Sequence, residues 1–577
     1  MKKLQGVAAS RGICVGPVFK FIRAEIKIQK CKCEDTEAEI KRLHSALEEA
    51  KTQITRIYEK ALTEASKNDA SIFEAHKMIL DDPEFIAAVE NKIIAEKVSA
   101  ESGVYEAAQM FSATMAAMKD EYFKARAMDI LDVGNRVLRI LLGIAETPTA
   151  NLKKPAVIIA EDLTPSDTVL LDKSLVLGFC TAQGSATSHT AILARGLGLP
   201  AVAGAGKELM AMKNGDLIIV DGTHGVAILE ADEATLKDYD RLDKLSQTIH
   251  AEAMKHAHEP AVTLDGRRVD VAANVGDVKG AKSAVEKGAE GSGLLRTEFL
   301  YLERNSMPSE EEQYEAYKAI LDTFGDFPVV LRTLDVGGDK EIPYMGLEAE
   351  SNSFLGQRAL RLCLTRPDIF KPQLRAALRA GVGRNLKIMY PMVAAASEVR
   401  AARKVYEECM AELKVEGKPF AENIEMGIMV EIPSAAIVAD QLAKEVDFFS
   451  IGTNDLSQYT MAADRTNPKV AGLSDAFQPA VLRLIRDVIK AAHQEKKWVG
   501  MCGELAGEPL AAPILIGLGL DEFSMSPPMV PLIKQIIRNL NVEEMKPLAE
   551  HALTLESPQQ IREYVKNKVP FIGEIAS

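Results

Sequence analysis

Across residues 261–577 the chain alternates short, almost unbroken apolar runs with longer amphipathic stretches. Eight runs stand out: Val269–Asn274, Gly291–Arg296, Val329–Leu334, Leu386–Pro391, Glu425–Ile432, Val446–Gly452, Trp498–Gly503 and Glu522–Met525. Strands without regular polar alternation are buried on both faces, and strands separated by helices run parallel. Eight such units predict a (β/α)8 TIM-type barrel, with an open doubly wound sheet as the alternative. In either architecture ligands gather where the strands end.

Residues 34–145 follow a different rhythm. They are rich in Ala, Glu, Lys and Leu at helical spacing, hold one proline, Pro83, and predict a helical bundle. The β-rich pieces on either side, residues 1–33 and 146–230, read as one α/β domain that the bundle interrupts. Residues 231–260 form a charged helix that ends before Pro260 and links this half to the barrel. The fold class is therefore α/β and multidomain. His256 and His258, two residues apart on the connector, do not share a helix face and read as solvated.

Composition narrows the possibilities. At 577 residues and 47% hydrophobic, the chain has material for several packed cores. No apolar stretch reaches the roughly 18 residues of a membrane span, and Met1-Lys2-Lys3-Leu4-Gln5 opens no signal-peptide core, so a cytoplasmic protein is expected. Seven scattered cysteines without a C-x-x-C pair predict reduced thiols, not a zinc or disulfide framework. A net charge of -14 argues against sequence-independent nucleic-acid binding, so an anionic ligand needs locally clustered arginines.

The strand ends supply such a cluster. The run Asp447 to Gln458 stops at Gly452-Thr453-Asn454-Asp455, where Asp455 offers a hard oxygen ligand suited to Mg²⁺ and Gly452 allows close approach of backbone to an anion. A helix-capping Asp is the alternative for that position. Arg296, Arg332, Glu431 and Cys502 end other runs, and Arg465 follows Asp455 closely enough to reach back over it. Guanidinium groups fork onto phosphate or carboxylate oxygens, and two carboxylates can hold a divalent ion. Together they suit a small, multiply anionic phosphorylated acid. Lys340 and Arg358 are weaker candidates on less defined segments.

A second constellation, Gly184 to Arg195, leads through Thr187 and Ser188 into an apolar helix, placing His189 in its first turn. Free N–H groups and the helix dipole there favour an anion on the imidazole. A cap cluster with an incidental histidine is the alternative.

These motifs resemble the Enzyme I family of the bacterial phosphoenolpyruvate:sugar phosphotransferase system over essentially the whole chain. The resemblance rests on Thr187-Ser188-His189-Thr190 with Ala194-Arg195, Leu295 to Leu300, Val430 to Pro433, Phe449 to Gln458, and Gly500 to Glu504. It implies a relay in which phosphoenolpyruvate bound with Mg²⁺ in the barrel phosphorylates His189, which passes the group to a histidine of a small phosphocarrier protein. Carried over motif by motif, Arg296, Arg332, Arg465 and Asn454 bind substrate together with Asp455. Glu431 and Asp455 ligate Mg²⁺, and Cys502 protonates the enolate. The resemblance also implies a swivelling histidine domain, phosphocarrier docking on the bundle and a homodimer formed through the barrel. By pattern alone, the Phe73-His76-Leu80 stripe reads as bundle core, with Arg126 nearby; only the resemblance makes it a docking groove.

Ser185, Arg11, Ser353 and Gln357 depart from the family pattern, the last two beside Arg358. A nucleotide-linked phosphoenolpyruvate synthase or dikinase shares the histidine and barrel modules. It needs a nucleotide-grasping domain for which the roughly 180 residues before His189 leave little room, and no G-x-x-x-x-G-K-[ST] loop is present. A catalytically silent scaffold would lack one of His189, Glu431, Asp455 or Cys502, and all four are there.

Overall fold

The computed structural model describes residues 1–21, 28, 32–64, 67–116, 121–144, 152–163, 167, 171–184, 188–302, 304, 306–337, 342–348, 350–465, 467 and 469–575. The chain divides into two compact units, residues 1–245 and 246–577. Among the described residues no helix is long and apolar enough to cross a membrane.

In the first unit, strands β1 (Lys2–Gln5), β2 (Val7–Ser10) and β3 (Ile13–Lys20) join β4 (Ala156–Ala160), β5 (Val176–Thr181), β6 (Ala201–Ala203), β7 (Leu217–Asp221) and β8 (Val226–Leu229) in one sheet of order β1-β8-β7-β3-β4-β5-β6-β2. The middle strands β3, β4, β5 and β6 are parallel. β4 is buried at every position, as its unbroken Ala-Val-Ile-Ile-Ala demands. Between β3 and β4 the described residues form five helices, α1 (Thr36–Glu64), α2 (Lys67–Asp81), α3 (Pro83–Glu96), α4 (Ala100–Ala116) and α5 (Glu121–Leu141). Pro83 sits at the first position of α3, where its missing N–H costs nothing, and Asp82 caps the Glu84 and Phe85 amides. Phe73 and Leu80 are fully buried in the bundle core. His76 is buried with them, its ring edge-on to Phe73 at 5.8 Å. That stripe is therefore core, and the Arg126 side chain lies outside the described residues. The connector is one helix, Glu233–Lys255. His256 just beyond it is exposed and pairs with Glu259 at 2.7 Å.

The second unit closes eight parallel strands into a barrel: β10 (Arg268–Val275), β11 (Ser292–Arg296), β12 (Val329–Arg332), β13 (Leu386–Tyr390), β14 (Glu425–Val430), β15 (Phe448–Ile451), β16 (Trp498–Met501) and β17 (Glu522–Met525). Pairing of β17 with β10 closes the ring, which excludes the open-sheet alternative. β9 (Ala261–Val262) pairs antiparallel with β10 outside it. Successive residues point to opposite faces. Leu294, Val330, Met389, Met429, Phe448 and Cys502 form an interior cluster, whereas Leu295, Leu331, Ile388, Ile428, Phe449 and Val499 join the core against the helices. Strands β11 to β15 thus carry apolar residues on both sides, which gives their unbroken runs, whereas β17 turns Glu522 and Ser524 to one side. Several runs overshoot the strands. β12 stops at Arg332, and Leu334 stays fully buried after its backbone has left the ladder.

Candidate active site

The C-terminal strand ends bring Arg332, Glu431, Asp455 and Cys502 into one buried cluster with Glu298, Asp335 and Arg358. β11 and β12 are in register at Arg296 and Arg332, so two arginines end neighbouring strands side by side. Arg296 is exposed, whereas Arg332 is buried and held by carboxylates. Its Nη2 lies 2.6 Å from Glu298 Oε1 and its Nη1 2.9 Å from Asp335 Oδ2. Burial alone pulls the guanidinium's pKa down, but Glu298, Asp335 and Glu431 outweigh that and push it above its ordinary value. Arg332 Nε, also buried, has no hydrogen-bond partner among the described residues, leaving a donor for an anion.

Arg358 is the centre of the acidic group. Its Nε and Nη2 fork onto Asp335 at 2.9 and 3.1 Å, and its Nη1 reaches Asp455 Oδ1 at 3.3 Å and the Tyr459 hydroxyl at 3.2 Å. Burial opposes its charge, yet Asp335 and Asp455 push its pKa above the ordinary value. Arg465 approaches the same Asp455 oxygen at 3.6 Å from the following loop.

Asp455 is not a helix cap. Helix Thr453–Met461 begins directly after β15, Gly452 is its cap residue without a side-chain bond, and Asp455 lies in the first turn, buried. Gly452 serves packing here: a Cβ on it would stand 3.0 Å from Met429 Cγ and 3.1 Å from Glu431 Cβ. Its bare backbone makes room for Glu431. That carboxylate follows β14, is 1% exposed, and accepts the Met392 N–H at 2.6 Å. Burial first, then the neighbouring charges of Asp455 and Asp335, push its carboxyl above the ordinary carboxylate range.

On the other side, Gly503 lies so close to Thr453 that a Cβ would stand 1.9 Å from Thr453 Oγ1. Only glycine lets the Cys502 loop reach the start of the Asp455 helix. Asn454 Oδ1 fastens that loop by accepting the Glu504 N–H at 3.0 Å, which leaves its amide N–H groups as donors. Cys502 is 4% exposed, and burial pushes its thiol up to about 11.

Two carboxylates crowded by a third make a reasonable seat for Mg²⁺, because a divalent cation relieves the repulsion that raises Glu431. Among the described residues no group of three or more His, Cys, Asp or Glu side chains forms a metal cage. Glu431 and Asp455 would thus contribute part of an oxygen shell, the rest coming from substrate and water, which suits Mg²⁺.

In the first unit His189 heads the helix His189–Leu197, as its spacing predicted. Ser188 caps that helix through the Ala191 N–H at 3.4 Å, and Gly198 ends it in the left-handed region at φ 69°. The His189 side chain, Thr187, Ser185 and Lys340 lie outside the described residues. Glu298 and Asp335 are not among the sequence candidates, and Arg358, on a less defined segment in sequence, is central in the fold. The Arg-Thr-Glu and Arg-Thr-Leu-Asp runs after β11 and β12 carried the signal, since a buried strand-end arginine needs a nearby carboxylate.

Three stretches match families of phosphoenolpyruvate-using enzymes. Residues 5–126 match "PEP-utilising enzyme, N-terminal", 152–225 "PEP-utilising enzyme, mobile domain", and 250–542 "PEP-utilising enzyme, PEP-binding domain". The chain is 48% identical over 566 residues to a phosphoenolpyruvate-protein phosphotransferase of Priestia megaterium, covering 98% of this chain and 99% of that one. Proteins of the same name match it at 48% in Geobacillus stearothermophilus, over 98% of both chains, and at 45% in Bacillus subtilis (strain 168), over 98% of this chain and 99% of that one. With near-complete coverage at this identity, the chain belongs to the phosphoenolpyruvate-protein phosphotransferase family of PEP-utilising enzymes.

Proposed function

We propose that the chain transfers the phosphoryl group of phosphoenolpyruvate to His189 and from there to a histidine of a phosphocarrier protein, the first step of the sugar phosphotransferase system. The observation that carries this reading is the buried convergence of Arg332, Glu431, Asp455 and Cys502 at one end of the barrel. Phosphoryl transfer is governed by positioning and charge neutralisation, and this is a site built of little else.

Arg296, Arg332 and Arg465 bind the phosphate and carboxylate, with the Asn454 amide donating to the substrate and Asp455 beside it. Glu431 and Asp455 would hold Mg²⁺, which when bound neutralises charge building on the transferring group. The His189 imidazole takes the phosphoryl group as the bond from phosphorus to the enol oxygen breaks. The Cys502 thiol gives its proton to the enolate carbon, forming pyruvate, and recovers one from water. A thiol pushed up to about 11 keeps that proton at neutral pH.

In this reading residues 1–33 and 146–230 form the swivelling histidine domain, and residues 34–145 bind the phosphocarrier. Residues 231–260 are the connector, and residues 261–577 bind phosphoenolpyruvate and form a cytoplasmic homodimer. Because Phe73, His76 and Leu80 face the bundle core, the carrier docks on another face.

Incubation with ³²P-phosphoenolpyruvate and Mg²⁺ tests the relay. The expected result is an acid-labile label that is absent without Mg²⁺ and absent in His189→Ala. An acid-stable label, or one retained in that variant, overturns it. Labelling from ATP instead would favour the dikinase-type alternative.

A further inference from the structure

A polar chain runs through the otherwise apolar layer between the barrel strands and their helices. Its hub is Gln373, on the helix Pro367–Ala380, with no exposed surface. Its Oε1 accepts the Leu334 N–H at 2.8 Å, and its Nε2 donates to Thr297 Oγ1 at 3.1 Å and to the Tyr317 hydroxyl at 3.2 Å. Thr297 in turn donates to the Arg332 carbonyl at 2.8 Å. Tyr317 and Tyr301 both donate to Gln313 Oε1, at 3.0 and 2.9 Å, and Gln313 Nε2 donates to the Pro308 carbonyl.

Every role in this chain is fixed. Both Gln373 N–H donors and its carbonyl are used, so flipping the amide would set donor against the Leu334 N–H. Thr297, accepting from Gln373, has only its own proton to give to Arg332. Burying an amide here is costlier than burying a methionine of similar length unless each partner is met. The place where the chain meets the barrel is specific. β12 ends at Arg332, its backbone leaves the ladder, and Gln373 takes the Leu334 amide that no strand pairs. The segment 332–334 is thus gripped at both ends. Beside Thr297 on the chain, Glu298 grips the Arg332 guanidinium at 2.6 Å. Backbone and side chain of Arg332 are therefore both set by the turn after β11.

We propose that Gln373 and Thr297 are positioning residues for substrate binding, fixing the end of β12 so that Arg332 presents its guanidinium to the phosphate of phosphoenolpyruvate. This rests on the reading of Arg332 as a phosphate ligand. Misplacement of such a group by a fraction of an ångström weakens binding without touching the chemistry directly.

The test measures KM for phosphoenolpyruvate, kcat and Tm on the full chain for Thr297→Val, Thr297→Ser, Gln373→Met and Arg332→Met. Thr297→Val and Gln373→Met are expected to raise KM about tenfold, with kcat changed less than KM. Thr297→Ser, which keeps the hydroxyl, is expected to restore the parental KM. A purely structural role would lower Tm in Thr297→Val and leave KM within twofold, and that result overturns the proposal. Equal KM values for the Val and Ser variants also overturn it. Should Gln373→Met fail to fold, the Thr297 pair decides. If Arg332→Met leaves KM unchanged, the phosphate-ligand reading fails. If it raises KM while the Thr297 and Gln373 variants do not, only the positioning proposal fails.

Discussion

Arg358 Nη1 lies 3.3 Å from Asp455 Oδ1, so the carboxylate proposed to hold a metal ion already shares a guanidinium with Asp335. Arg358 is thus the counter-ion shared by Asp335 and Asp455, in a buried pocket where Arg332 also pairs with Asp335 and Arg465 approaches Asp455. Breaking a buried ion pair from one side leaves uncompensated charge, at a cost of about 3–5 kcal/mol.

In Arg358→Gln the metal-free barrel is expected to lose stability of that order, and added Mg²⁺ to recover part of it. The Mg²⁺-induced rise in Tm should therefore be larger in the variant than in the parent chain. Differential scanning calorimetry with and without Mg²⁺ checks this. A variant as stable as its parent, or an equal Mg²⁺ response, would sink the counter-ion assignment.

Asp455→Asn keeps the shape of a buried side chain and removes its charge, while Arg358 retains its fork on Asp335. Phosphorylation of His189 by phosphoenolpyruvate and Mg²⁺ is expected to fall by at least about a hundredfold, since losing even a partner that only orients a metal ligand costs about 10–100-fold. Binding of a phosphocarrier protein, measured by titration calorimetry, should not change. If transfer persists within threefold, Asp455 has no part in the metal site.

The barrel was legible because burial on both faces of each strand leaves an unbroken apolar run, as in the Val-Val-Leu-Arg of β12. Strand-end chemistry was legible for the same reason: Glu431 and Asp455 interrupt runs that had no other cause to stop. What sequence hid were contacts across long separations. Arg358 meets Asp455 from 97 residues away, and nothing local to Arg358 announces it. Gln373 likewise meets the Leu334 amide from 39 residues away. The sequence reads Gly452 as room for an anion, and in the fold its missing Cβ also makes room for Met429 and Glu431. For His76, the helical period alone identified the core face.

Cys502 lines the barrel interior beside Met429 and Phe448, with its Sγ 4.0 Å from the Ile451 carbonyl, and as a thiol it offers a proton to donate, not a charge to hold a phosphate. Cys502→Ala is therefore expected to lower kcat for pyruvate formation by at least about a hundredfold, in the range for loss of a general acid, with KM for phosphoenolpyruvate within about threefold. With the thiol pushed up to about 11, its deprotonation should limit activity only in strongly alkaline solution. A coupled assay of pyruvate across pH checks both. A parallel rise in KM would assign Cys502 to shaping the pocket.

Glu522, on β17, is buried in the barrel, where Gly293 and Gly500 lack the Cβ atoms that would stand 2.3 and 2.8 Å from its Oε1. Burial first, with Asp270 adding and Lys387 opposing, pushes its carboxyl from 4.5 up to about 8. The folded chain then holds a proton between those values that the unfolded chain has released. Stability must fall as pH rises through that window, by up to about 1.4 kcal/mol per pH unit for a single group. Glu431, pushed up by burial and by Asp455 and Asp335, adds a slope of the same sign. Urea unfolding at pH 5, 6.5 and 8 measures this, followed by the fluorescence of Trp498, the chain's one tryptophan, whose ring stacks on Phe448 at 4.5 Å. In the metal-free chain the midpoint is expected to drop with rising pH, and Glu522→Gln should reduce that drop. A midpoint that rises between pH 5 and 8, or a slope unchanged by Glu522→Gln, would show that Glu522 is ionised in the folded barrel.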